Sequence, residues 1–212
     1  MSEIRMSVHR ALAELKLLNS KVERELANGV FVLANRTTNR AIKGHTLAEV
    51  NAELTGNFDR VKALISNRGK IKSAIVLSNA NTFVQIAGEE LTVAEAIEKK
   101  SSIQLRKNFL TVLKRQYVQN NTVVEKENDQ LPSKLETYLS SVLGEKTNRT
   151  ASDVALHTKV FEDNNRFELI DPRKISVYIR TLEKEIDDFE TQVDYVLSES
   201  NALTHIEVFL DD

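Results

Sequence analysis

Ser78-Asn79-Ala80-Asn81-Thr82-Phe83-Val84-Gln85-Ile86 occurs a second time in this chain, as Ser200-Asn201-Ala202-Leu203-Thr204-His205-Ile206-Glu207-Val208. Both copies read S-N-A-x-T-x-[VI]-x-[IV], and a long amphipathic helical pattern precedes each. Self-similarity within one chain is the first sign of a repeated architectural unit. Ser and Asn compete with the helical backbone for hydrogen bonds and end helices. The Thr, Val and Ile that follow at alternate positions suit a strand. The motif therefore reads as a helix stop joined to a short strand, stated twice.

Working outward, residues 2–28 carry Ile4, Val8, Ala11, Leu15, Leu18, Val22 and Leu26 at alternating steps of four and three, a helical seam. Gly29 fits the position that closes such a helix, and Val30 to Ala34 is an apolar run suited to a buried strand. Thr46-x-x-Glu49 and Thr92-x-x-Glu95 are capping boxes that open a second and a third helix. The third is expected to reach about Asn128, with Pro132 breaking the pattern and Ser133 capping a short helix that Gly144 closes. Further short elements are a helix over 153–161 and a strand over 167–170. Asp171-Pro172 starts a last helix. There Ile175, Ile179, Leu182, Ile186, Phe189, Val193 and Val196 fall on strict four-three spacing, the cleanest helix-packing seam in the chain.

These elements predict a mainly α fold with some β structure: a long-helix bundle or coiled coil with a small sheet. Each repeat is expected to contribute a strand (30–34 or 167–170), a helix and the motif strand, and the four strands are expected to pair into one sheet at one end of the bundle. The linker-like stretch Glu145 to Thr150 divides the chain into halves at 1–145 and 146–212, packed as one unit.

A chain of 212 residues with 41% apolar and 28% charged residues can bury a real core. Six Gly and two Pro leave few helix breakers, and zero Cys excludes disulfides, thiolate metal sites and a cysteine nucleophile. The first ten residues lack a signal-peptide core and no run approaches a membrane span. An intracellular protein that does not enter a membrane is expected.

The formal net charge of −2 is unevenly spread. Lys70, Lys72, Lys99, Lys100, Arg106 and Lys107 lie in a basic stretch over 60–115, whereas Glu183, Glu185, Asp187, Asp188, Glu190 and Asp194 crowd the last helix. The basic set is a candidate anion or nucleic-acid patch, and the asymmetry equally suits mutual attraction of the two stretches or solvated helix faces. His9, His45, His157 and His205 show no metal-binding spacing. Asp187 and Asp188 lie on the outer side of the seam, a solvated face rather than an acid–base pair. Ser78 and Ser200 lack a nucleophile elbow. Neither metal, cofactor nor catalytic residues are expected, and the chain reads as a non-enzyme.

Residues 78–97, running through Gly88-Glu89-Glu90-Leu91-Thr92-Val93-Ala94-Glu95-Ala96-Ile97, resemble the septicolysin-like family of small bacterial helical proteins. That family shows a helix, an N-x-T turn, a short strand, a Gly turn and an L-T-x-x-E-A helix start. The overall style is similar to accessory or structural proteins of bacteriophages. These resemblances imply a structural or protein–protein interaction role with self-association through helices, in a bacterial cytoplasm or in a virion. Nucleic-acid or nucleotide binding through the basic stretch is the alternative expectation.

Overall fold

The structure, a computed structural model, describes residues 2–211. It is mainly helical. In chain order it holds β1 (Ser2–Ser7), α1 (Val8–Asn28), β2 (Ala41–Ile42), β3 (His45–Thr46), α2 (Leu47–Asn81), β4 (Phe83–Ile86) and β5 (Glu89–Thr92). There follow α3 (Val93–Leu143), a 3-10 turn at Lys146–Asn148, α4 (Ala151–Asn165), α5 (Ile175–Leu203) and β6 (His205–Leu210).

Each S-N-A-x-T motif ends a helix and begins a strand, as its residues dictate. The N–H of Thr82 donates to the Ser78 carbonyl at 2.9 Å and the N–H of Thr204 to the Ser200 carbonyl at 2.9 Å, closing α2 and α5. The chain then extends and meets an antiparallel partner. β4 pairs with β5 in the register Phe83↔Thr92 to Ile86↔Glu89. β6 pairs with β1 in the register His205↔Ser7 to Leu210↔Ser2. At the mouth of each pair the next helix is tied to the motif: Val93 N–H donates to the Thr82 carbonyl at 2.8 Å, and Val8 N–H to the Thr204 carbonyl at 2.9 Å.

The repeated unit is therefore strand–helix–helix–strand: β1-α1-α2-β4 and then β5-α3-α5-β6. The first strand of each unit pairs with the last strand of the other. Ser7-Val8-x-x-Ala11 and Thr92-Val93-x-x-Ala96 open the two units alike. The Ser7 hydroxyl accepts from the Arg10 N–H at 3.2 Å and the Thr92 hydroxyl from the Glu95 N–H at 3.1 Å. Behind these caps Val8, Ala11, Val93 and Ala96 are all buried.

Several expectations are corrected. The strands form three separate two-stranded sheets, β1–β6, β2–β3 and β4–β5, rather than one four-stranded sheet. Neither 30–34 nor 167–170 is a strand. In both places an asparagine side chain takes the role of a strand partner. The Asn57 amide donates to the Val30 carbonyl at 3.1 Å. The Asn128 amide bonds both the carbonyl and the N–H of Phe167, each at 2.9 Å. Val32 and Ile170 stay 84% and 88% exposed, with nothing to bury a strand face against.

Residues 2–7, expected as helix, are strand. Ile4 and Val8 fit a step of four, but Ile4, Met6 and Val8 also alternate, and β6 supplies the partner. Gly29 closes α1 at φ −74°, not in the left-handed region. A side chain is excluded there because a Cβ would sit 2.5 Å from the Glu25 carbonyl oxygen and 2.8 Å from the Phe31 ring.

Pro132 does not end α3, which continues to Leu143. An interior proline removes one backbone hydrogen bond and typically costs about 3 kcal/mol. Packing beyond it holds the helix together: Tyr138 stacks on Phe161 of α4 at 5.1 Å and its hydroxyl bonds His157 Nδ1 at 3.1 Å.

The described residues divide into two compact units, one of 2–101 with 188–211, the other of 102–187. The first holds all three strand pairs and the two motifs. Its core joins Met6, Val8, Leu15, Ile71, Ile75 and Ile206 from β1, α1, α2 and β6. The second unit buries Ile103, Leu113 and Leu139 of α3 with Ile179, Leu182 and Ile186 of α5. Residues 145 and 146 both lie in the second unit. The stretch after α3 is pinned there by the Arg149 side chain, which donates to the Gly144 carbonyl at 3.0 Å and to Glu136 at 3.1 Å.

Candidate interaction surfaces

The seam read on α5 faces inward. Ile179, Leu182, Ile186, Phe189 and Val193 are buried, while Ile175 and Val196 at its two ends are half-buried. Within the first unit, Lys99 of α3 places its ammonium 5.0 Å from the centre of the Phe189 ring, inside the range of cation–π attraction. Within the second unit, Phe109 of α3 meets Tyr178 of α5 edge to face at 6.1 Å. Phe189 of the seam and Tyr178 beside it are thus each met by a side chain of α3 of the same chain.

Four of the six basic residues, Lys70, Lys99, Lys100 and Arg106, are held by carboxylates. Lys70 binds Asp211 at 2.7 Å. In the first unit Lys99 pairs with Glu89 and Lys100 with Asp194; in the second, Arg106 pairs with Glu185 and Lys114 with Glu183. Lys107 is half-buried and Lys72 is exposed on α2. The uneven charge of the sequence therefore becomes ion pairs of α3, with β5 and α5 in the first unit and with α5 in the second. Such exposed pairs contribute at most about 1 kcal/mol each, but they neutralise cations that phosphate contacts would need.

The end of β6 is fastened to α2. Asp211 accepts from Ser66 Oγ at 2.8 Å and from Lys70 Nζ, while its backbone N–H donates to the Asn67 side-chain oxygen at 2.7 Å and its carbonyl accepts from the Asn67 amide at 2.9 Å. The Lys70 ammonium, then the Ser66 hydroxyl, hold the Asp211 carboxyl below its usual range. At the matching place in the other repeat, the Gln192 side chain of α5 accepts from the Ala87 N–H at 2.8 Å.

A feature that sequence reasoning missed is an apolar groove of about 450 Å³ between α1 and α2, lined by Leu26, Phe31, Phe58, Val61, Lys62 and Ile65. Leu26, Phe58 and Ile65 are 54%, 57% and 52% exposed. All three were legible as seam positions, but a seam position does not reveal whether a partner covers it. Phe31 reaches the groove because 30–34 is a loop rather than a buried strand.

Among the described residues, no group of three or more His, Asp or Glu is placed to hold a metal ion, and no helix is long and apolar enough to cross a membrane. His157 bonds Tyr138, and His205 Nδ1 lies 2.9 Å from the Leu203 carbonyl. No protein-family model, curated protein or solved structure matches the chain.

Proposed function

We propose that this chain is a non-enzymatic structural or protein–protein interaction protein that associates with further copies of itself or with another protein. The observation that supports this reading is the α1–α2 groove, where Leu26, Phe58 and Ile65 remain about half exposed beside Val61 and Phe31. Contiguous apolar surface of this kind marks protein contacts more often than solvent-facing helix. The seams of α1 and α5 are largely occupied within the chain, so association falls to the surface they leave open. A bacteriophage virion or accessory role is the setting we favour for such a helical assembly protein, with the bacterial cytoplasm as its place of synthesis.

The test is Phe58→Asp, followed by light scattering and thermal melting. A charge in the groove is expected to reduce the associated mass and leave the melt unchanged, because Phe58 is more than half exposed. An unaltered mass contradicts the reading.

The nucleic-acid alternative requires Lys70, Lys99, Lys100 and Arg106 to exchange carboxylates for phosphates. It predicts binding that weakens steeply with salt, and no binding to DNA, RNA or nucleotides at low salt would remove it.

A further inference from the structure

β1 belongs to a two-stranded sheet, so one of its edges is open. The hydrogen bond from the Val8 N–H to the Thr204 carbonyl sets the parity of the β1–β6 ladder. With the observed register, Ile4 and Met6 direct their backbone groups toward Val208 and Ile206 of β6. Glu3 and Arg5, both exposed, therefore direct their N–H and C=O groups to the open edge. An open edge is a template for another strand, and proteins commonly blunt it with charged side chains or proline. Here the two charged edge-facing residues, Glu3 and Arg5, carry opposite charges.

We propose that the partner is a second copy of this chain, joined by antiparallel pairing of the two β1 edges with Ile4 opposite Ile4 of the other copy. The proposal rests on the self-association reading above and adds a second contact surface to the α1–α2 groove. Backbone parity allows symmetric pairing only where edge-facing residues oppose edge-facing residues. Of the three central alignments, one sets Glu3 against Glu3 and one sets Arg5 against Arg5. The third sets Glu3 against Arg5 twice. Opposite charges directly across a ladder attract and like charges repel, so charge selects this alignment. It also extends an arrangement already present, because Arg5 stands opposite Glu207 within the chain. The row across the joined sheet becomes Glu207, Arg5, then Glu3 of the second copy. Other edges lack this match: β5 offers Glu90 and Thr92, β4 offers Phe83 and Gln85, and β6 is fastened along α2 through Asp211.

The chain contains zero Cys, so Ile4→Cys is a clean probe. In the proposed alignment the two position-4 residues form a non-hydrogen-bonded pair with Cα atoms about 4.5 Å apart, a separation a disulfide spans. Mild oxidation is expected to give a covalent dimer. Adding E3R is expected to abolish it by setting Arg against Arg, and adding E3R together with R5E is expected to restore it. R5E also sets a carboxylate opposite Glu207, so a thermal melt of each variant confirms folding. An oligomer by light scattering with no cross-link through position 4 overturns the β1 edge and leaves self-association standing. A monomer that does not cross-link overturns both. A cross-link indifferent to E3R overturns the charge-selected alignment.

Discussion

Val8 and Thr204, near opposite ends of the sequence, are joined by a 2.9 Å hydrogen bond from the Val8 N–H to the Thr204 carbonyl. Val93 and Thr82 make the same bond at 2.8 Å across a hairpin only a few residues long. One joint, a helix stop, a strand pair and a helix start, is thus built once from a continuous segment and once from segments far apart in sequence. The reciprocal pairing of first and last strands makes the two repeats depend on each other.

Equivalent positions in the two joints are expected to respond alike to substitution. Ile86 and Val208 both turn inward from their strands and are buried, whereas Gln85 and Glu207 are exposed. Ile86→Ala is expected to cost about 2–5 kcal/mol, with Val208→Ala smaller and in the same direction. Gln85→Ala and Glu207→Ala are expected to stay within about 0.5 kcal/mol. Denaturant titration checks all four; a tolerant Val208→Ala would show that the β1–β6 joint is not part of the cooperative core.

Phe189, only 1% exposed on α5, is the largest fully buried side chain. Phe189→Ala is expected to cost about 3–5 kcal/mol by the same titration. Ile186→Asp, which buries a carboxylate without a partner, is expected to abolish folding. A wild-type melting curve for Ile186→Asp would remove the seam assignment of α5.

Ala87 occupies the left-handed region at φ 53° and is followed by Gly88 at φ 79°, a two-residue turn that favours Asn-Gly. An alanine there carries a steric cost of about 1–2 kcal/mol that asparagine largely avoids. Ala87→Asn is expected to raise the melting temperature, since the backbone bond to Gln192 is retained. A lowered melting temperature would mean that the turn is held by more than its own backbone preference.

Stability is expected to fall in acid. The backbone N–H of Thr46, then its hydroxyl, hold Glu49 below the usual carboxylate range; Thr92 does the same for Glu95, and Lys70 with Ser66 for Asp211. Groups whose pKa is lowered on folding stabilise the fold above their unfolded pKa, and that contribution disappears as pH falls through the folded value. The melting temperature is expected to hold from neutral pH down to about 4.3, the ordinary value for glutamate, and to drop below it. Glu49→Gln combined with Glu95→Gln is expected to make that drop shallower, and an unchanged profile would contradict the capping contribution.

Local chemistry was legible where it decides structure without a partner. The S-N-A-x-T stops, both capping boxes and the α5 seam depend on residues within one or two turns, and all are formed. Pairing at long range was not legible. Residues 2–7 fit helix and strand alike until β6 is known to lie beside them. The apolar runs at 30–34 and 167–170 look like strands until Asn57 and Asn128 are seen to take up their backbone groups. The α1–α2 groove was hidden for the same reason: Leu26 and Phe58 read as seam whether or not another helix covers them.

Mass in solution, measured by light scattering over a range of salt and protein concentration, tests the central claim of self-association most directly. The chain has a mass of 24.0 kDa. A larger mass that persists at high salt is predicted, because the groove is apolar and screening acts on charges. A 24.0 kDa monomer at every concentration and salt would contradict it.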